Sequence, residues 1–233
     1  MASRFKLIFF YSYKIFVVLY TYVLRIIWHI TQPRCVSCKE LVDLYQRLCH
    51  GCRLRIAPVV SKSLAITERY EISVWAAGAY EGPLRDLVLA KKQRDVYASR
   101  IMGEIMWQQS GIKEIPFDCI VPIPLHWTRY AERGYNQAEE MAYVIARHAG
   151  KPIMNIIKRN KKTQFQALLS MAQKQENVKN AFCLRTGEKT LEGKTILIID
   201  DVLTSGSTIK AVVQELRRLK PARIIAVVGA RAI

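Results

Sequence analysis

The sequence is short of acid. Nineteen Asp and Glu residues stand against 36 Lys and Arg, a formal net charge of +17 over 233 residues. The deficit is local. Residues 1–60 carry 9 basic and 2 acidic side chains, residues 131–195 carry 12 and 6, and residues 61–130 are nearly balanced at 9 and 8. Concentrated positive charge favours a polyanionic partner, either nucleic acid or an anionic membrane surface, although a soluble protein that is merely basic fits the totals too. Low-complexity stretches and internal repeats are also missing, and 51% of the residues are apolar. The chain therefore folds, with room for one substantial core plus a small module but not for two full domains.

Cysteine is scarce outside one place. Four of the six cysteines fall between residues 35 and 52, which excludes a secreted disulfide scaffold with cysteines throughout a short chain. Cys119 and Cys183 stand alone and read as small buried hydrophobes. A long uncharged apolar run is lacking as well. Residues 5–30 are rich in Phe, Tyr, Leu, Ile and Val, but Lys14 and Arg25 confine the uncharged stretch to Ile15–Leu24, short of the roughly 20 residues of a bilayer span. No small-residue site precedes the cysteines, so no cleaved signal peptide is expected.

At about 100° per residue, Lys14 and Arg25 fall within about 20° of each other on a helix, with Thr21 and His29 about 40° to either side of Arg25. That leaves a narrow polar stripe and a wide apolar face. A helix over residues 1–32 of this kind lies in a lipid interface, docks on a partner or packs on the protein itself.

The cysteines read P-R-C-V-S-C-K-E-L-V-D-L-Y-Q-R-L-C-H-G-C. Cys35 and Cys38 form one C-x-x-C knuckle, Cys49 and Cys52 a second. Two intervening residues let both thiolates of a pair face one ion, and four thiolates make a closed tetrahedral Zn²⁺ site with a structural role. A segment this short, over residues 33–56, draws its folding free energy from the metal. Redox disulfides and an iron–sulfur cluster are the rivals; a redox C-x-x-C normally stands alone beside a βαβ pattern. Arg34, Lys39, Arg47, Arg53 and Arg55 make the module basic, as a nucleic-acid contact or as a solvated surface.

After a linker over residues 57–71, residues 72–233 read as one α/β domain. I-S-V-W-A-A-G-A-Y is a strand, G-P-L-R-D-L-V-L-A-K-K a helix opened by Gly82 and Pro83, and a second helix covers about 96–109. D-C-I-V-P-I-P is a buried strand, N-Q-A-E-E-M-A-Y-V-I-A-R-H-A a helix stopped at Gly150, and P-I-M-N-I-I a short strand. T-I-L-I-I and R-I-I-A-V-V are continuous apolar strands with a helix, Ser207–Leu219, between them. Such alternation predicts a parallel sheet flanked by helices on both faces, with ligand bound at the carboxyl ends of the strands.

Two loops at those ends carry the chemistry. After T-I-L-I-I comes D-D-V-L-T-S-G-S-T. Backbone N–H groups and hydroxyls over Thr204, Ser205, Gly206, Ser207 and Thr208, with the positive end of the next helix, suit a phosphate monoester. Asp200 and Asp201, leaving the strand end, suit the hydroxyls of a sugar attached to that phosphate. The spacing does not fit a P-loop, which needs Gly, four residues, Gly and Lys. In V-P-I-P-L-H-W-T-R-Y-A-E-R-G-Y-N-Q, Arg129 and Arg133 with the Gly134 turn are placed to hold a diphosphate through planar forks. His126 is either a partner there or a satisfied surface histidine. Lys158, Arg159, Lys161 and Lys162, with Phe165 nearby, suit a nucleic-acid backbone and one stacking ring, or form a solvated loop.

At this point a family resemblance emerges. I-L-I-I-D-D-V-L-T-S-G-S-T resembles the phosphoribosyl-pyrophosphate signature of type I phosphoribosyltransferases. The order of C-x-x-C pairs, V-P-I-P-L-H, E-R-G-Y-N-Q-A-E and the Asp-Asp loop, over residues 33–233, resembles the ComF family. The resemblance implies a four-cysteine zinc module joined to a phosphoribosyltransferase-like domain and a role in DNA uptake during natural transformation. It implies that Asp200 and Asp201 contact ribose, that Thr204–Thr208 cradle the 5′-phosphate, and that Arg129 and Arg133 lie near diphosphate, with Mg²⁺ accompanying the phosphoribosyl pyrophosphate. Asp200, Asp201 and Arg133 are then the catalytic candidates of a pentosyl transfer. T-Q-F-Q-A-L-L-S and N-V-K-N-A-F resemble a family segment over the site, with Gln166 and Asn177 at its polar positions; Lys174 stands nearest the family's usual arginine. The expected partners are single-stranded DNA, DNA-uptake proteins and a phosphorylated ribose. The expected location is cytoplasmic, with the front helix as a contact to the inner membrane face.

Overall fold

The computed structural model describes residues 32–43, 45–59, 61–92, 95–160, 181–185 and 190–232. The expected apolar front helix, and the segment carrying Lys161, Lys162, Phe165, Gln166, Lys174 and Asn177, lie outside the described residues. Among the described residues no helix is long and apolar enough to cross a membrane.

The chain order is α1 (His50–Leu54), β1 (Lys62–Thr67), β2 (Tyr70–Ala76), α2 (Gly82–Lys92), α3 (Val96–Gln109) and β3 (Cys119–Pro122). Then come α4 (Trp127–Arg133), α5 (Gln137–Ala149), β4 (Ile157–Arg159), β5 (Phe182–Leu184), β6 (Thr195–Leu203), α6 (Ser207–Leu216) and β7 (Arg223–Arg231). The main sheet runs β1-β2-β7-β6-β3. Its β2–β7, β7–β6 and β6–β3 pairs are parallel, and β1 joins the edge antiparallel to β2.

Successive strand residues face opposite sides of a sheet, so a doubly covered strand is apolar throughout. In β6, Leu197 and Ile199 join one core with Met102, Ile105 and Met106 of α3 and Met141 and Ile145 of α5. Ile196 and Ile198 join the other core with Ile209, Val212, Val213 and Leu216 of α6. The helices are cut by local chemistry. Asp95 Oδ1 accepts the Ala98 N–H at the start of α3, and Asn136 Oδ1 accepts the Ala138 N–H at the start of α5. Gly150 ends α5 at φ +63° with its N–H on Ala146 O. Where α3 meets α5, a Cβ on Gly103 would lie 3.0 Å from Val144 Cβ, so that glycine sets the close approach of the two helices.

Four expectations change. Residues 62–67, read as linker, form β1: Leu64 and Ile66 point inward, and a two-residue turn at Glu68–Arg69 sets Thr67 against Tyr70. The run P-I-M-N-I-I makes a single parallel bridge, Ile120 to Ile153, before the chain turns away; strand β4 begins at Ile157 and pairs antiparallel with β5. The acids expected beyond a strand end lie within β6, which continues to Leu203, with Asp200 opposite Val228. Cys119 is buried as expected, whereas Cys183 is half-buried and accepts a hydrogen bond from Asn160 Nδ2 at 2.9 Å.

Candidate functional site

One cavity of about 290 Å³ opens at the carboxyl ends of β3 and β6, at the small end of the range for ligand pockets. Asp200, Asp201, Val202, Thr204 and Thr208 line one part of it; Ile123, Pro124 and Leu125 follow β3 into another. Arg129 and Arg133 reach it from α4, Asn136, Gln137 and Ala138 from the start of α5, and Arg159 from the end of β4.

The local sequence explains these placements. Residues four apart lie on one helix face, so Arg129 and Arg133 present both guanidinium groups to the cavity. Gly134, at φ +82°, ends α4 and returns its N–H to Tyr130 O at 2.7 Å. Asn136 Nδ2 donates to Ile123 O at 3.1 Å, which ties the start of α5 to the end of β3. In β6, Asp200 Oδ1 accepts the Asp201 N–H at 2.8 Å. Ser205 Oγ lies 3.0 Å from Ser207 Oγ and accepts the Ser207 N–H, so these two hydroxyls shape the turn.

Of the sequence-predicted site residues, then, the structure brings Asp200, Asp201, Thr204, Thr208, Arg129 and Arg133 to one cavity. Ser205, Gly206 and Ser207 form the turn between Thr204 and Thr208 and are not among the residues lining it. His126 is neither a surface histidine nor part of the lining. It is 4% exposed and caps α4, with Nδ1 2.8 Å from Thr128 Oγ1.

Arg159 was expected on a basic loop. It instead lines the cavity, with its guanidinium 5.1 Å above the Phe182 ring. Burial, with Arg129 adding and Asp200 opposing, holds it down to about 10. Burial likewise lowers Arg129, helped by Arg133 and opposed by Glu132 and Asp201. Both stay charged at neutral pH. Half-buried cations that repel one another hold a site ready for an anion. Sequence reasoning missed Arg159 because its neighbours Lys158, Lys161 and Lys162 read as a solvated run; only the pairing of Arg159 with Phe182 across β4 and β5 turns it inward.

The four cysteines form a second site. Their sulfur atoms all lie within 4.8 Å of one another, a set that can hold one metal ion. Arg55 Nη2 donates to Cys52 Sγ at 2.8 Å and Cys49 Sγ accepts the Cys52 N–H at 3.4 Å, hydrogen bonds suited to thiolate ligands. Burial pushes the Cys35 thiol up, but hydrogen bonds from the backbone of Cys49, Cys38 and Ser37 outweigh it and leave the group at about 6.

The phosphoribosyl transferase domain family matches residues 131–232, from the end of α4 through β7. Competence protein F of Haemophilus influenzae is 29% identical over 195 residues, covering 80% of each chain. Competence protein ComFC of Bacillus subtilis is 26% identical over 191 residues, 70% of this chain and 75% of that one. The chain is thus similar to competence proteins F and ComFC over most of its length, and to the phosphoribosyl transferase domain family over its second half. The DNA utilization protein YhgH of Escherichia coli is 35% identical over 103 residues, 43% of this chain and 44% of that one. In this chain the cysteine cluster and the α/β domain share one core: Cys35, Leu48, Cys52 and Ile56 pack in the same cluster as Leu84, Leu87 and Val88 of α2.

Proposed function

We propose that this protein acts in DNA uptake, and that its cavity binds phosphoribosyl pyrophosphate with Mg²⁺. The observation that carries the reading is the meeting of three arginines, two carboxylates and two threonine hydroxyls in one cavity at the strand ends. Each group has a counterpart in that ligand. Asp200 and Asp201 accept hydrogen bonds from the ribose hydroxyls. Thr204 and Thr208, with the turn between them, hold the 5′-phosphate at the start of α6. Arg129, Arg133 and Arg159 face the diphosphate, where planar forks match phosphoryl oxygens. Asp200 and Asp201, with the bound diphosphate, would hold Mg²⁺, which would supply charge neutralisation.

A pentosyl transfer fits the same layout as a second reading. Asp200 and Asp201 stabilise positive charge developing on the ribose, while Arg133 and Arg129 stabilise the departing diphosphate. The cysteine cluster is assigned to a structural Zn²⁺, since four thiolates leave no open position.

Calorimetry with phosphoribosyl pyrophosphate and Mg²⁺ tests the reading. The wild-type protein is expected to bind, and Asp200→Asn to weaken binding by about 10- to 100-fold, the worth of a charge-assisted hydrogen bond. Absence of binding heat with the wild-type protein overturns the ligand assignment. Release of pyrophosphate in the presence of a nucleobase, abolished by Asp200→Asn, separates the transferase from a binding protein.

A further inference from the structure

The geometry points to Gln137 as the residue that reads the diphosphate end of the ligand, by donating one hydrogen bond from Nε2 to a phosphoryl oxygen. This rests on the phosphoribosyl reading of the cavity. Gln137 is the first residue of α5, is 3% exposed and lines the cavity. Its Nε2 is buried with no hydrogen-bond partner among the described residues. A buried donor left unmet destabilises the free protein, so native structures hold few of them. The neighbouring Asn136 is equally buried and has both ends of its amide engaged, with Ile123 O and the Ala138 N–H. The segment therefore satisfies its polar groups wherever the protein provides a partner, and the one it leaves open is a buried nitrogen on a residue that lines the cavity.

The chemistry of the donor selects the ligand group. Ribose hydroxyls are matched by the acceptors Asp200 and Asp201, whereas an ionised diphosphate offers only acceptors and needs donors. Gln137 lies four residues beyond Arg133, at the positive end of a 13-residue helix, where negative charge is favoured. A neutral amide adds a directional bond there without adding a fourth cation to Arg129, Arg133 and Arg159. That makes Gln137 a specificity-determining residue: a ligand lacking an acceptor at this point leaves the amide unmet.

The test is calorimetry on the full chain with Mg²⁺ and three probes: phosphoribosyl pyrophosphate, inorganic pyrophosphate and ribose 5-phosphate. Gln137→Met keeps the volume and removes the donor. It is expected to weaken the first two probes by about 10- to 100-fold and ribose 5-phosphate by less than about 3-fold. Its melting temperature without ligand is expected to rise, because the unmet donor is gone. Gln137→Glu, of the same shape but bearing negative charge, is expected to lose pyrophosphate binding still more completely. Wild-type affinity for pyrophosphate in both variants overturns the inference, as does equal weakening of all three probes. Wild-type protein that binds none of the three overturns the ligand reading itself, a result distinguishable from failure of the Gln137 assignment alone.

Discussion

Gly206 starts α6 at φ +74°, and a Cβ there would lie 2.6 Å from Leu64 Cδ1 of β1. The turn that joins Thr204 to Thr208 is therefore fixed by two demands at once, a left-handed backbone and close contact with a neighbouring strand. Gly206→Ala is expected to lower unfolding stability by about 1–3 kcal/mol, the combined cost of positive φ and overpacking, measured by denaturant titration. Unchanged stability would show that the turn relaxes freely. The sequence showed a glycine among hydroxyls in a loop suited to a phosphate. The contact with Leu64 was not legible there, because β1 lies about 140 residues earlier in the chain and meets the turn only after the sheet has formed.

At the scale of elements, helices α3 and α5 were readable to within a residue, since Asp95, Asn136 and Gly150 mark their ends by short-range chemistry. The hairpin of β1 and β2 was missed although Leu64 and Ile66 alternate with the small exposed residues Ser63, Ala65 and Thr67. Its Glu-Arg turn carries none of the Gly or Asn signals on which hairpin reading depends. The cysteine module was legible by spacing, but its packing was not. Arg47 forms an ion pair with Asp95, the residue that caps α3, and its guanidinium lies 5.2 Å from the Tyr97 ring. Because Cys35 and Cys52 also share the α2 core, a metal held by the cluster would link its binding to the stability of the domain. Chelation, or Cys52→Ser, is expected to lower the melting temperature of the whole α/β unit by at least about 4–8 °C, and added Zn²⁺ to restore the chelated protein. A main transition that stays in place while the metal leaves would uncouple the two.

Across the whole molecule, positive charge and exposed aromatic rings meet beside the cavity. Trp127 is 71% exposed and Tyr130 49%, on the same short helix whose Arg129 and Arg133 line the pocket. That pairing of rings and cations suits a single strand better than the basic run that begins at Lys158, whose Arg159 lines the cavity instead. Single-stranded DNA is expected to bind with an affinity that falls steeply with salt, and Trp127→Ala to cost about 1–3 kcal/mol by fluorescence anisotropy. Asp200→Asn is expected to leave that affinity unchanged. Salt-independent binding, or a silent Trp127 substitution, would remove this surface from the mechanism.

The sequence by itself determined the apolar strands, the capped helices, the cysteine spacing and the acid-hydroxyl loop, because each is set by residues within a few positions of one another. Tertiary structure alone decided that Arg159 and Gln137 join Arg129 in one cavity, that His126 is a buried cap, and that the cysteine module shares its core with α2. Those outcomes depend on which strand edges and helix ends become neighbours, a long-range property that local spacing does not encode.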